Sequence, residues 1–467
     1  MQYPRNETIP YLRYNSAFRA LICSLQVSFP NYLCIIGRLE SPVHLPHRCD
    51  LLFSAELYFL TNTLTVKNLY KIFGPSPEEA LQLAQEGVEK DEIFRRTKSL
   101  AAVNDVSFTA EESEIFVVMG LSGSGKSTLI RCINRLFEPT SGKVMIGDQD
   151  VTAASSEELR QLRLNYMAMV FQHFALLPHK TVSENAEYGL KTRGLDKAER
   201  REKALIALKT VGLDAWADVY PSSLSGGMQQ RVGLARALAV TPRILLMDEP
   251  FSALDPLIRR DMQDELIRIQ EQMQTTIIFI THDLQEALKI GDKIAIMRNG
   301  SFVQVGTPEE IVTAPANDYV LEFTRDVDRS RVLTFRSIMD EPQIVSAETP
   351  VSDLRSLFQS QPKLTGVFVK NGSGEPEGVV RRSSLGNAPD GKTASQLMSR
   401  DFLKMRANKY LHNAFEQIRN STMIAVTNRS GDMVGAVDPI SVFAHLQGPL
   451  KDDESLARGG APENTEA

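Results

Sequence analysis

Short apolar runs recur along the chain and predict buried strands. The alternating character of residues 64–69 (LTVKNL) favours a strand with one covered face. Residues 115–119 form a further strand, and the β-branched runs at 244–247 and 276–280 are typical of parallel strands covered on both sides. A helix is expected over residues 129–136, directly after a glycine-rich loop. The pattern therefore predicts an α/β core.

Two other segments predict helices. Ser76, Pro77 and Glu79 occupy the cap, first and third positions of a helix start. The partly apolar face that follows consists of Leu81, Leu83, Ala84 and Val88. Helix formers are frequent from about residue 155 to residue 212, which predicts a mainly helical subdomain.

The last third of the chain contains a weak internal repeat. SIMDEP at residues 337–342 is echoed by QLMSRD at 396–401, and residues 366–380 are echoed at 423–437. The two echoes recur at roughly 57 to 59 residues. This spacing predicts two copies of one α/β unit.

Length and charge limit the possible classes of protein. A chain of 467 residues predicts two or three domains, and a net charge of −6 lacks the basic excess of nucleic-acid binders, so no nucleic-acid partner is expected. Four cysteines without metal-ligand spacing favour a reduced compartment. The most apolar stretch, residues 18–37, contains Arg19, Pro30 and Asn31, and a spanning helix needs about 20 mostly apolar residues. Any membrane role is therefore expected through a partner.

Both ends of the chain differ from its centre. Residues 1–60 show no sustained period and are either a genuine extension or, as we prefer, a translation-start artefact. Residues 448–467 are polar and acidic, which predicts a disordered tail.

Residues 120–128 (GLSGSGKST) have the spacing of a phosphate-binding loop. Its glycines let the backbone curl so that N–H groups point at a phosphate. Lys126 would meet the β- and γ-phosphates of ATP, and Ser127 would offer a hydroxyl to Mg²⁺. The expected nucleotide contacts in this loop are Gly120, Ser122, Gly123, Gly125, Lys126, Ser127 and Thr128.

Residues 224–231 (LSGGMQQR) follow that loop and precede the acidic pair Asp248 and Glu249. The combination resembles the ATPase subunit of ABC transporters. This resemblance implies a P-loop cassette over residues 61–325, with a RecA-like mixed sheet, an antiparallel β subdomain and a helical subdomain at about 155–235. It also implies that ATP hydrolysis drives a membrane partner.

The resemblance assigns roles to further residues. Asp248 would orient the Mg²⁺ shell, and Glu249 would polarise the attacking water. Gln172 would contact Mg²⁺, and His282, which follows the strand at 276–280, would touch the γ-phosphate. Phe73 would stack on adenine.

In the family, the serine-glycine-glycine signature closes over ATP held by the opposite subunit. Ser225, Gly226 and Gly227 would therefore complete a composite site in a head-to-tail dimer, and Asp255 would lie at the dimer boundary. Ser223 stands where relatives commonly have an acidic residue, which we expect to affect coupling more than catalysis.

Three features narrow the match: residues 68–74 (NLYKIFG), the predicted helical insertion, and residues 247–259 (MDEPFSALDPLIR). With the C-terminal repeat they are similar to ATPases of glycine betaine/proline-type osmoprotectant importers, over residues 61–447. The similarity implies an inner-membrane permease, an external or periplasmic substrate-binding protein, and a place on the cytoplasmic face of the inner membrane. Phe174 and Leu177 would dock the permease. Importers of choline, carnitine or histidine, and soluble ABC ATPases without a transport role, remain alternatives.

The C-terminal repeat resembles a tandem CBS pair, with copies at about 330–388 and 392–447. Neither copy has the Ser/Thr and Asp with which many such pairs bind adenosine nucleotides. Our hypothesis is that Arg381 and Arg382 sense ionic strength through anionic lipid, whose attraction salt screens. The two arginines could equally be an ordinary solvated surface.

Overall fold

The computed structural model describes residues 63–447 except 173–174, 253, 372–374, 387, 420 and 422. The predictions for residues 1–60, for Phe174 and for the tail at 448–467 lie outside the described residues. All described residues belong to one compact unit that begins at Leu60.

The described strands belong to four sheets. In chain order they are β1 (Leu64–Phe73), β2 (Leu100–Ala110), β3 (Ile115–Met119), β4 (Ser141–Ile146), β5 (Gln149–Asp150), β6 (Met167–Val170), β7 (Ile244–Asp248), β8 (Thr276–Thr281), β9 (Lys293–Arg298), β10 (Ser301–Gly306), β11 (Ile344–Ser346), β12 (Gly366–Lys370), β13 (Pro376–Arg381), β14 (Leu403–Arg406), β15 (Ile424–Thr427) and β16 (Met433–Val437).

The α-helices lie between and around these sheets. They are α1 (Pro77–Gln85), α2 (Lys90–Thr97), α3 (Lys126–Ile133), α4 (Ser156–Asn165), α5 (Val182–Ala186), α6 (Tyr188–Thr192), α7 (Lys197–Thr210), α8 (Gly226–Ala239), α9 (Pro256–Met273), α10 (Leu284–Ile290), α11 (Pro308–Thr313), α12 (Asp318–Thr324), α13 (Phe335–Ile338), α14 (Val351–Ser360), α15 (Ala394–Leu397), α16 (Phe415–Arg419) and α17 (Pro439–Gln447). None of these helices is long and apolar enough to cross a membrane.

A six-stranded mixed sheet forms the centre, in the order β10-β9-β3-β8-β7-β6. Neighbouring strands in this sheet are parallel, except for β9 and β10, which form an antiparallel hairpin. Every residue of β3, β7 and β8 is buried, because apolar side chains on both faces enter two separate core clusters. The predicted α/β core with buried parallel strands is confirmed.

The prediction of a mainly helical region from residue 155 missed one strand. β6 pairs in parallel with β7, so that Met167 lies opposite Ile244. Backbone pairing at the edge of the sheet supplies hydrogen bonds that a local helix preference cannot compete with. The surrounding segments do form helices, including α4 and α7.

The helix after the glycine loop was predicted three residues too late. α3 begins at Lys126 because Gly125, with φ 108°, turns the chain immediately before it. It ends at Ile133, and Arg135 two residues on has a left-handed φ of 55°. The lysine and the serine of the loop therefore lie in the first helical turn, where backbone N–H groups are unpaired.

The smaller antiparallel sheet has the order β2-β1-β4-β5, with β1 paired to β2 and β4. The insertion after β1 folds into α1 and α2. Pro77 opens α1 as predicted, but Ser76 makes no side-chain cap and its backbone N–H donates to Ser99 Oγ at 3.1 Å. Ser76 occupies the cap position as predicted, but its φ of −126° and ψ of 64° depart from the extended backbone with which a cap side chain accepts an N–H of the first turn.

Residues 333–447 contain two three-stranded sheets, β11-β12-β13 and β14-β15-β16. In each, the first two strands are parallel and the last two antiparallel. The segment before each sheet forms a β-bridge with the last strand of the other sheet, since Asp340 pairs with Ala436 of β16 and Ser399 with Val379 of β13. The echoed sequences are thus two similar units packed in a reciprocal way.

Candidate active site

The loop between β3 and α3 depends on glycine at two positions. Gly120 has a φ of 156° and Gly125 a φ of 108°, a backbone conformation that side chains rarely adopt. A Cβ atom would clash with the Met297 carbonyl oxygen at Gly120 and with the Ala102 carbonyl oxygen at Gly125. The loop is therefore held in its curled shape between β2 and the end of β9.

Lys126 lies across this loop. Its ammonium donates to the carbonyl oxygens of Gly120 at 2.8 Å and Leu121 at 3.0 Å. Burial lowers the pKa of Lys126 from its ordinary value, while the carboxylates of Glu249 and Asp248 oppose that shift. A buried cation at the start of a helix, where the first backbone N–H groups lack helical partners, is suited to a polyphosphate.

Ser127 and Asp248 meet at the carboxyl ends of the central strands. Ser127 Oγ donates to Asp248 Oδ1 at 2.8 Å, and the Asp248 side chain is fully buried. Mg²⁺ that binds with nucleotide is usually held by one or two carboxylates together with phosphate oxygens and water. This hydroxyl and carboxylate fit that ion, although the described residues contain no group of three or more His, Cys, Asp or Glu side chains that could hold a metal without other ligands.

Arg131 was not predicted. One of its terminal nitrogens lies 3.4 Å from Asp248 Oδ2, so it partly neutralises the buried carboxylate. The signal was available in principle, because residues four apart lie on one helix face and Ser127 is four positions earlier in α3.

Gln172, Glu249 and His282 come from three distant segments and meet at one carboxylate oxygen. Glu249 Oε2 lies 3.3 Å from Gln172 Nε2 and 3.1 Å from His282 Nδ1. Glu249 has a φ of 48°, and its N–H donates to the Ile280 carbonyl oxygen at 3.1 Å. Such strained positions concentrate at functional sites. A carboxylate placed between an amide and an imidazole is a suitable acceptor for a proton of water.

Phe73 ends β1 with a partly exposed ring. The ring packs edge-on against Phe137 at 5.5 Å, and Lys71 Nζ lies 4.8 Å from its centre. Phe137 in turn lies beneath Arg131, which connects this aromatic pair to Asp248. A supported aromatic ring that is 37% exposed suits stacking on a base.

Ser225 and Asp255 begin helices at a different place. Ser225 caps α8 by accepting from the Met228 N–H at 3.3 Å, and Asp255 caps α9 through the N–H groups of Leu257 and Ile258. Gly227 faces Leu254, which brings the two helix starts together. No hydrogen bond or ion pair between described residues joins Ser225 to the loop at 120–128. The start of α8 at Ser225 can bind an anion, but within the described part of the chain it is not joined to the phosphate loop of its own chain.

The segment after Gln172 is held by α8 and α5. Arg236 donates to the Ala175 carbonyl oxygen at 2.7 Å, and the Leu177 N–H donates to Asn185 Oδ1 at 2.8 Å. The position of Leu177 is thereby fixed relative to α8, the helix that Ser225 caps, whereas Phe174 lies outside the described residues.

These features together define an ATP-binding cassette: a mainly parallel sheet, a lysine in a glycine loop, a buried Ser–Asp pair and a serine-glycine-glycine helix start. Comparison with known proteins agrees with this class: residues 103–252 match the family model described as ABC transporter. The chain is 46% identical to the glycine betaine/carnitine transport ATP-binding protein GbuA of Listeria monocytogenes, over 82% of this chain and 98% of that protein. It is 44% identical to the glycine betaine transport ATP-binding protein OpuAA of Bacillus subtilis, over 86% and 96%.

A third relative, the glycine betaine/proline betaine transport system ATP-binding protein ProV of Escherichia coli, is 53% identical over 66% of this chain and 78% of that protein. The chain belongs to the family of ATP-binding subunits of ABC transporters. It is accordingly an ATPase whose hydrolysis is coupled to transport.

Proposed function

We propose that this chain energises an importer for glycine betaine or a related quaternary amine. The observation that carries the proposal is 46% identity spanning 98% of a glycine betaine/carnitine transport ATP-binding protein. A trimethylamine N-oxide transport ATP-binding protein of Pelagibacter ubique is 46% identical over 95% of its length, which favours methylated amines as the transported substrates. Histidine is therefore a weaker candidate than carnitine or choline.

In the proposed mechanism, Phe73 stacks on adenine and the loop at 120–128 holds the phosphates. Ser127 and Asp248 would hold Mg²⁺, which would neutralise phosphate charge when bound. Glu249 accepts a hydrogen bond from the attacking water, and its strained backbone fixes the direction of the carboxylate. His282 and Gln172 keep Glu249 Oε2 in place until nucleotide arrives, after which His282 turns to the γ-phosphate.

The active assembly contains two copies of the chain arranged head to tail. Ser225, Gly226 and Gly227 of each copy cover ATP bound to the other, and Asp255 lies at the boundary. Support comes from the adjacent starts of α8 and α9, where a Cβ at Gly227 would contact Leu254, and from the capping of those helices by Ser225 and Asp255. The dimer binds two permease subunits on the cytoplasmic face of the inner membrane, and a periplasmic or external protein delivers substrate.

The two C-terminal units form a tandem CBS pair that regulates closure of the dimer. Their matching strand order and reciprocal bridges support this assignment. Arg382 donates to the carbonyl oxygens of Phe358, Gln361 and Leu364, so its guanidinium secures the end of α14. The hypothesis of ionic-strength sensing at a lipid surface therefore concerns Arg381 more than Arg382.

Transport by the reconstituted complex tests the substrate. The chain, its permease and its binding protein would be placed in proteoliposomes, and ATP hydrolysis would be measured with glycine betaine, carnitine, choline, trimethylamine N-oxide or histidine. We expect stimulation by glycine betaine and loss of transport in Lys126→Ala. Stimulation by histidine alone would overturn the proposed substrate class.

A further inference from the structure

Three buried polar side chains beside the candidate site have no role in the mechanism above. They are Thr281, Glu286 and Gln263, which are 2%, 5% and 7% exposed. Gln263 Nε2 donates to Glu286 Oε1 at 3.0 Å, and Thr281 Oγ1 donates to Glu286 Oε2. Both oxygens of one carboxylate are therefore occupied, as a buried acceptor requires.

These contacts join three elements. Thr281 is the last residue of β8 and immediately precedes His282, Glu286 lies in α10, and Gln263 lies in the middle of α9. The backbone before His282 is thus connected through Glu286 to the helix that Asp255 begins.

A second contact reaches the residue after His282. Arg259, one turn before Gln263, lies 3.4 Å from Asp283 Oδ2 and also donates to the Leu254 carbonyl oxygen at 3.1 Å. The Asp283 N–H donates to Thr281 Oγ1 at 3.0 Å, and the Asp283 side chain caps α10. Asp283 is therefore held directly by Arg259 of α9, whereas Thr281 is joined to α9 through Glu286.

We propose that Glu286, together with Thr281 and Gln263, positions His282 for the reaction and connects it to the start of α9 at Asp255. The proposal rests on the role given above to His282. His282 itself is half exposed and contacts Glu249 alone among the described polar partners, so its orientation depends on the backbone at 281–283. All three positioning residues are buried, so they act on the reaction through His282.

Hydroxyl removal at Thr281 is the sharpest test. Thr281→Val keeps the side-chain volume but removes both the donor to Glu286 and the acceptor of the Asp283 N–H, whereas Thr281→Ser retains the hydroxyl. In the reconstituted complex, we expect Thr281→Val to lower kcat for ATP about 10-fold or more with KM nearly unchanged, and Thr281→Ser to recover most of the loss. Thr324→Val removes a buried hydroxyl that donates to the Leu321 carbonyl oxygen, away from the site, and serves as the matched control.

A double-substitution cycle separates positioning from mere stability. In a His282→Ala background, Thr281→Val should cause little further loss, because the residue through which it acts is gone. An undiminished second loss would overturn the proposal. If Thr281→Val does not fold, Glu286→Gln is measured in the same cycle with the same expectation.

Different results would overturn the proposed role of His282 and the proposed positioning of His282 by Glu286. Full activity of Thr281→Val and Glu286→Gln beside an inactive His282→Ala would overturn positioning and leave the role of His282 intact. Full activity of His282→Ala would overturn both.

Discussion

Glu249 Oε2 lies 3.1 Å from His282 Nδ1, although the two residues are 33 positions apart and directly follow the neighbouring strands β7 and β8. Parallel pairing of β7 with β8 brings their carboxyl ends to one edge, and the left-handed backbone at Glu249 directs its side chain towards the histidine. Chemistry at this edge therefore depends on both the sheet register and one strained residue.

Replacement of this carboxylate should stop hydrolysis while nucleotide binding persists. Glu249→Gln keeps a partner for Gln172 and His282 but is a much weaker proton acceptor, so we expect kcat to fall by roughly 10² or more. ATPase rate and ATP affinity would be measured on the same preparation. The exposed Glu271→Gln controls for loss of one carboxylate. Wild-type turnover in Glu249→Gln would contradict the assignment.

Two helix-cap serines allow a matched test of the signature. Ser225 caps α8 and Ser155 caps α4, each by accepting an N–H of the first turn. Ser225→Ala and Ser155→Ala should each cost about 1 kcal/mol of unfolding free energy, because each loses a cap. ATP-driven dimerisation, followed by light scattering with the Glu249→Gln chain, should weaken only in Ser225→Ala. Equal dimerisation of the two variants would remove Ser225 from the composite site.

The buried strands and the glycine loop were predictable because each is encoded locally. The apolar, β-branched runs at 244–247 and 276–280 predict strands that are covered on both faces. The glycines of the loop motif permit the positive φ angles that its backbone adopts. β6 and the Arg131–Asp248 ion pair were missed because each depends on a partner distant in sequence. Local patterns specify propensity, whereas edge pairing and ion pairs are decided by packing.

The repeated C-terminal units likewise combine a feature that is visible in the sequence with one that depends on packing. The echo of SIMDEP by QLMSRD predicted two copies but not their packing, in which Met339 covers Gly435 and Met398 covers Gly378. Each methionine belongs to one unit and each glycine to the last strand of the other. The echoed methionines and glycines are a reciprocal contact that becomes visible only in three dimensions.

Alanine at either of these glycines should loosen the paired units. An added Cβ would lie 2.7 Å from Met339 Cβ at Gly435 and 3.0 Å from Met398 Cβ at Gly378, so the methionine must move. We expect each substitution to cost about 1 to 3 kcal/mol. Gly391→Ala meets no atom within 4 Å and is the control. Thermal unfolding of the full chain measures the effect, and equal melting temperatures for all three variants would contradict the reciprocal packing.

Burial of Glu286 predicts a particular dependence of stability on pH. Burial raises the pKa of this carboxyl, hydrogen bonds from Thr281 and Gln263 lower it, Asp283 raises it and Arg259 lowers it, with a net increase. In the window between the ordinary glutamate pKa and the raised one, the folded chain holds more protons than the unfolded chain. The unfolding free energy of the wild type should therefore fall as pH rises through this window, relative to that of Glu286→Gln.

The difference in unfolding free energy between the wild type and Glu286→Gln should change by at most about 1.4 kcal/mol per pH unit, because one proton is involved. Above the raised pKa the difference should no longer change with pH. Denaturant unfolding of both chains from mildly acidic to neutral pH measures it, with the exposed Glu271→Gln as the control for charge. A constant difference between wild type and Glu286→Gln at every pH would show that Glu286 titrates alike in the folded and unfolded chains. The carboxyl would then be solvated rather than enclosed between α9 and β8.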